Sequence, residues 1–157
     1  YSHLTCYIGG SWYDHTGGPS NYLCLPPNPV FDGHAVPRYG SSELYGTEYQ
    51  TCGEPECGMS AVCSVCRVSR SSTLMIPGRD TCNAGWNLEF SGYLMGSCPD
   101  CHGNKEYICV DKQRRYVPAT KGDENGALLL YTTVHCWSLS CPPYVEGSIV
   151  LCAVCSK

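Results

Sequence analysis

No Gly-X-Y tract occurs anywhere in the 157 residues, so no part of this chain can wind into a collagen triple helix. Charge runs are missing too: Lys and Arg number 10, Asp and Glu 14, and charged residues are only 15% of the chain. Without a basic stripe there is no electrostatic footprint for nucleic acid, which is not an expected partner. No apolar stretch approaches the roughly 20 residues of a membrane span, so no membrane insertion is expected. N-x-S/T sequons are absent, which excludes N-glycosylation. There is no G-x-S-x-G elbow, no H-E-x-x-H and no phosphate loop. The acid pairs Glu54/Glu56 and Asp123/Glu124 fall in loop-like stretches, and five His (3, 15, 34, 102, 135) are scattered without metal spacing. The expectation is a protein that is not an enzyme.

Cysteine is what the chain has in abundance, 14 in all. An even number at this density predicts a disulfide framework and an oxidising, extracellular location. The opening at Tyr1, with neither initiating Met nor signal peptide, reads as the start of a processed secreted protein. The cysteines repeat. TCGEPECGMSAVCSVC (51–66) returns as HCWSLSCPPYVEGSIVLCAVC (135–155), each with Cys-x4-Cys, a spacer, then an apolar C-x-x-C. NYLCLP around Cys24 answers EYICVD around Cys109, and LTC at Cys6 answers DTC at Cys82. Six cysteines in 6–66 thus map in order onto six in 82–155, leaving Cys98 and Cys101 inside an insertion of the second copy. The expected organisation is repeat one over 1–70 and repeat two over 71–157, packed as one globular domain, because about 75 residues bury little core alone.

The three C-x-x-C pairs suggest zinc, but each is accounted for by the repeat or the insertion, and no metal is expected. Cys98-Pro-Asp-Cys101-His102 matches the c-type haem attachment pattern. The turn-like Gly103-Asn104-Lys105 follows at once, so a local disulfide is the expectation and no cofactor is implied.

Apolar segments are short, rich in Val, Ile, Tyr, Thr and Leu, and bounded by Gly, Pro, Asn and Ser, which predicts strands and turns. Strands are expected at 1–12, 22–25, 43–51, 61–68, 86–95, 106–110, 126–137 and 148–154, with residues 74–77 leading into repeat two. Residues 13–21 form a polar loop broken by Gly17, Gly18 and Pro19. The polar stretch 111–125 is the candidate for a mobile surface loop.

The runs GGSWYDHTGGPSNYLCLP, CNAGWNLEFSGYLMGS and NGALLLYTTVHC, followed by CPPYVEG and LCAVC, resemble the C-terminal non-collagenous domain of invertebrate short-chain (spongin-type) collagens. That domain is similar to the C-terminal domain of type IV collagen. The resemblance implies an all-β fold, a tandem duplication of a six-cysteine subdomain with pseudo-twofold symmetry. It also implies the pairs Cys6–Cys66, Cys24–Cys63, Cys52–Cys57, Cys82–Cys155, Cys109–Cys152 and Cys136–Cys141, with Cys98–Cys101 left to pair with itself. Spacing alone leaves 15 connectivities per repeat. On family grounds the function would be extracellular-matrix self-assembly as a homo-oligomer.

The residues themselves favour another function. A sugar is bound by an aromatic face under its ring and planar polar groups for its hydroxyls. Tyr13, Asp14, His15, Asn21 and Tyr22, with Trp12, supply both within one Gly-rich loop. Tyr and Trp bring large contact area at small entropic cost. A rougher set, Trp86, Asn87, Glu89 and Tyr93, lies in repeat two. One of Trp12 and Tyr13 should be core and the other open for stacking. A secreted, lectin-like recognition protein taking glycan is the leading expectation, and matrix assembly the alternative.

Overall fold

The computed structural model describes residues 6–33 and 41–157; the expected strand start at 1–5, His3 and His34 lie outside them. Among the described residues there are nine strands and no helix. They are β1 Cys6–Gly10, β2 Leu23–Leu25, β3 Tyr45–Tyr49, β4 Val62–Cys63, β5 Thr73–Pro77, β6 Asn87–Gly96, β7 Ile108–Asp111, β8 Ala127–Tyr131 and β9 Leu151–Ser156. The all-β expectation holds: β-branched and aromatic segments cut by Gly and Pro form short strands.

The chain forms two compact units. One holds Tyr1–Cys66, Ser97–Glu106 and Arg115–Leu130; the other holds Arg67–Gly96, Tyr107–Arg114 and Tyr131–Lys157. The Cys98–Cys101 insertion and most of the 111–125 stretch therefore fold with the first 66 residues.

In the first unit β1 is the hub. It pairs antiparallel with β2 (Ile8↔Cys24), with β3 (Gly9↔Gly46) and with β4 (Cys6↔Cys63). Strand β8 adds in parallel to β3, Thr47↔Ala127 through Tyr49↔Leu129. Buried on both faces, Ala127, Leu128 and Leu129 form a continuous apolar strand rather than an alternating one. Ile8, Tyr49 and Ala61 complete this core. Tyr49 is 1% exposed, and its hydroxyl donates to the Arg115 carbonyl at 3.1 Å. The 115–125 stretch is mostly exposed, yet it is not loose: Val117 N–H donates to Ser60 O at 3.0 Å and Ser60 N–H to Thr120 Oγ1 at 3.0 Å.

In the second unit the order is β5-β9-β6-β7, all antiparallel, with a register shift in β6 between Leu88 and Phe90. Leu94, Met95, Val110, Val134, Cys152, Ala153 and Cys155 are its core. A Cβ on Gly92 would stand 1.8 Å from the Val110 carbonyl oxygen, so only glycine lets β7 approach β6 there.

Five disulfides are formed: Cys24–Cys63, Cys82–Cys155, Cys98–Cys101, Cys109–Cys152 and Cys136–Cys141. Cys82–Cys155 closes 73 residues, worth about 4 kcal/mol in the chain-entropy account. Two implied bridges differ. Cys52 and Cys57 bring their Sγ atoms to 2.9 Å, so the implied partners stand side by side. Cys6 and Cys66 are not joined: Cys6 is buried within β1 opposite Cys63, whereas Cys66 lies beyond β4 in an exposed stretch. Cys82, matched to Cys6 in the sequence, instead precedes its strand β6 and is placed to reach β9.

Candidate functional site

Strand β1 ends at Gly10, Ser11 is buried, and the chain turns at Trp12 into the exposed stretch 16–21. Gly18 sits at φ 105, a conformation that side chains resist, so the turn depends on glycine here. The loop is anchored by backbone hydrogen bonds. Tyr13 N–H donates to Gly126 O (2.8 Å), Gly103 N–H to Tyr13 O (2.9 Å) and Glu106 N–H to Ser20 O (3.1 Å). The insertion carrying Cys98–Cys101 is thus a brace for this loop. A Cβ on Gly103 would lie 2.7 Å from Tyr13 O and 2.8 Å from Trp12 O, so the close approach needs glycine.

The loop residues separate into three groups. Trp12 and His15 join Tyr45 of β3 in an aromatic wall: Trp12 and Tyr45 stand edge to face at 5.1 Å, His15 and Tyr45 at 5.8 Å. Tyr13 stacks obliquely on Trp12 at 5.6 Å, and both rings are half-buried, so neither is wholly core. Asp14 faces away toward the brace: its Oδ1 lies 2.7 Å from His102 Nδ1 and 3.4 Å from His102 N. Those hydrogen bonds from His102 hold the Asp14 carboxyl below its ordinary range. Tyr22 turns inward, its hydroxyl donating to the Leu128 carbonyl at 2.8 Å, and burial pushes its pKa upward. It is committed to the fold rather than open to a ligand. Asn21 is exposed.

Beside the aromatic wall lies a cleft of 430 Å³ lined by Ser11, His15, Gly17, Gly18, Pro19, Ser41, Ser42 and Glu43. Tyr45 hydroxyl donates to Glu43 Oε2 at 2.5 Å, and His15 Nε2 stands 4.0 Å from the same oxygen. The cleft is therefore polar, with hydroxyls, the His15 imidazole and a carboxylate beside the Trp12 and Tyr45 rings. Of the five expected site residues, His15 alone lines it. Sequence reasoning missed Ser41, Ser42, Glu43, Tyr45 and His102. Glu43 and Tyr45 fall on the expected strand 43–51; only the pairing Gly10↔Tyr45 puts that strand beside the loop.

Of the rougher set in repeat two, Asn87 is exposed and Trp86 half-buried, while Glu89 and Tyr93 are engaged within their own unit. Glu89 accepts from Arg70 and Ser156, and Tyr93 packs edge to face on Tyr131, with Arg114 over both rings at 5.4 Å. Among the described residues, no group of three His, Cys, Asp or Glu side chains gathers as a metal site, and no helix is long and apolar enough to cross a membrane.

Comparison with known proteins returns no matching family model, curated protein or solved structure.

Proposed function

We propose that this is a secreted, non-catalytic recognition domain that takes glycan in the cleft beside Trp12, His15 and Tyr45. The observation that carries the reading is the juxtaposition of an aromatic wall with a 430 Å³ cleft of hydroxyl, imidazole and carboxylate groups. A sugar offers both surfaces such a site needs, apolar C–H faces for the rings and hydroxyls for Glu43, Ser41 and Ser42. Five disulfides fit an oxidising, extracellular setting. A glycan array on the purified protein, followed by calorimetric titration of the strongest hits, tests the reading. Glu43→Gln should weaken binding about tenfold. Unchanged affinity in Glu43→Gln and His15→Ala would move the site off this cleft. Asp14→Ala tests the brace instead, since Asp14 is tied to His102 outside the lining.

Matrix self-assembly is a second reading, supported by the disulfide-clamped 135–149 loop of the second unit. There Trp137 is fully exposed, and Val145 (64%) and Ile149 (46%) are also open. Apolar groups gathered in one loop suit a protein surface. Light scattering at micromolar concentration should find a trimer or larger; a strict monomer removes this reading.

The family resemblance behind the second reading rests on a duplicated framework, which the strand registers support. In the first unit Ile8↔Cys24 and Cys6↔Cys63 place a bridge across β1; in the second, Leu94↔Cys109 and Gly92↔Cys152 place one across β6. In both, the two bridged positions lie opposite residues two apart on the central strand.

A further inference from the structure

The Trp12–Tyr45 pair also walls a smaller pocket of 110 Å³, lined by Trp12, Tyr45, Gly46, Glu48, Ser60, Glu124 and Gly126. Its floor is an anomaly. Glu48 is 5% exposed in the middle of β3, and its Oε2 has no hydrogen-bond partner. Backbone N–H groups of Asn125 and Gly126 favour its charge, yet burial dominates and raises its pKa. The charged groups that act on it, Asp123 and Glu124, are both acidic. A carboxylate buried beside two acids, with one oxygen unsatisfied, is costly for folding, and a neutral side chain of equal size would fill the same strand position. Glu124 is exposed at the edge of the pocket and connects it to solvent.

What fits is a small cation with hydrogen-bond donors. Aromatic faces attract ammonium groups, Glu48 Oε2 and Glu124 accept charged hydrogen bonds, and Ser60 supplies a hydroxyl. A metal ion would want several oxygen ligands converging; two rings and two carboxylates suit an amine better. The pocket is too small for a sugar ring but is linked to the larger cleft through Tyr45. Tyr45 walls one and, through its hydroxyl, holds the Glu43 carboxylate that lines the other.

We infer that the pocket of Trp12, Tyr45, Glu48, Ser60 and Glu124 is a subsite for a cationic amine, so that the glycan taken is an amino sugar with a free ammonium group. The amino-sugar part rests on the glycan reading above; the amine pocket stands independently on the unsatisfied Glu48 and the rings and acid around it. The test is calorimetry on the whole protein with a glucosamine hexamer, its fully N-acetylated counterpart, and n-butylammonium. The free-amine hexamer should bind at least about tenfold tighter than the acetylated one. n-Butylammonium should compete with it in the unaltered protein, where no variant need fold. Glu48→Gln, which keeps the shape, should reduce the two hexamers to equal affinity. Equal binding of both hexamers by the unaltered protein, or an undiminished amine preference in Glu48→Gln, overturns the inference while leaving glycan binding in place. Glu48-dependent binding of n-butylammonium without binding of either hexamer upholds the amine pocket and overturns its assignment to a sugar.

Discussion

Gly126→Ala should disable the candidate site and the first unit together. Gly126 precedes β8, and a Cβ there would lie 2.1 Å from the Gly46 carbonyl oxygen and 3.4 Å from Tyr45 Cβ. The first of these is a backbone atom, which cannot rotate away, so β8 and β3 must separate locally. Such overpacking costs about 1–3 kcal/mol. The same displacement lengthens the 2.8 Å hydrogen bond from Tyr13 N–H to Gly126 O, worth about 1 kcal/mol. The sum is about 3 kcal/mol, which for a chain of this size corresponds to a Tm lower by roughly 6–12 °C. Urea and thermal unfolding without reductant, followed by far-UV circular dichroism, measure it. Tyr45 and Tyr13 move with the strand and its partner, so glycan affinity should fall in the surviving folded protein as well. A Tm within about 1 °C of the unaltered protein would refute the close-packing argument and with it the placement of β8 against β3.

Tyr22→Phe should cost about 1–2 kcal/mol by leaving the Leu128 carbonyl without its donor, with ligand affinity unchanged, as paired melting and titration experiments would show. Asp14 carries a pH dependence. Its carboxyl is held below its ordinary value of 3.8 by His102, so its stabilising contribution is complete above that value and is lost as pH falls through the lower folded-state value. Hydrogen exchange at the Gly103 N–H should therefore stay slow near pH 5 and accelerate as the medium becomes more acidic than about pH 4; exchange independent of pH beyond the intrinsic chemistry would refute the Asp14–His102 tie. Cys52 and Cys57, with Sγ atoms in contact, should close under mild oxidation, lowering the mass by about 2 Da without changing the circular dichroism spectrum. A peptide map that joins Cys52 or Cys57 to any other cysteine would contradict the structure.

What the sequence by itself determined is the local grammar. Alternation and β-branched runs between Gly, Pro and Asn locate eight of the nine strands, because strand and turn preference are properties of neighbouring side chains; β5 is not among the expected strands, and the expected 61–68 and 126–137 form only as the shorter β4 and β8. GALLLYTTVHCW reads as a buried strand, and Ala127, Leu128 and Leu129 are buried on both faces of the pairing. The two short bridges, Cys98–Cys101 and Cys136–Cys141, also lie within reach of their own turns. The tertiary structure alone decided which distant segments meet. That residues 97–106 and 115–130 fold with the first 66, bringing His102 to Asp14 and Gly126 to Tyr13, follows from hydrogen-bond registers no periodicity encodes. Tyr22 looked like a ligand residue because its neighbours are polar; the Leu128 carbonyl, 106 residues away, claims its hydroxyl. Cys6 resembles Cys82 in its flanking residues, yet one lies inside a strand and the other before one. A shift of a few residues against β4 or β9 decides which partner a thiol can reach, since bridging requires Cα atoms within about 7 Å. Glu48 is the same case at the site: an ordinary acid on an alternating strand in the sequence, it becomes a buried carboxylate only when β8 and the 123–126 turn close over it.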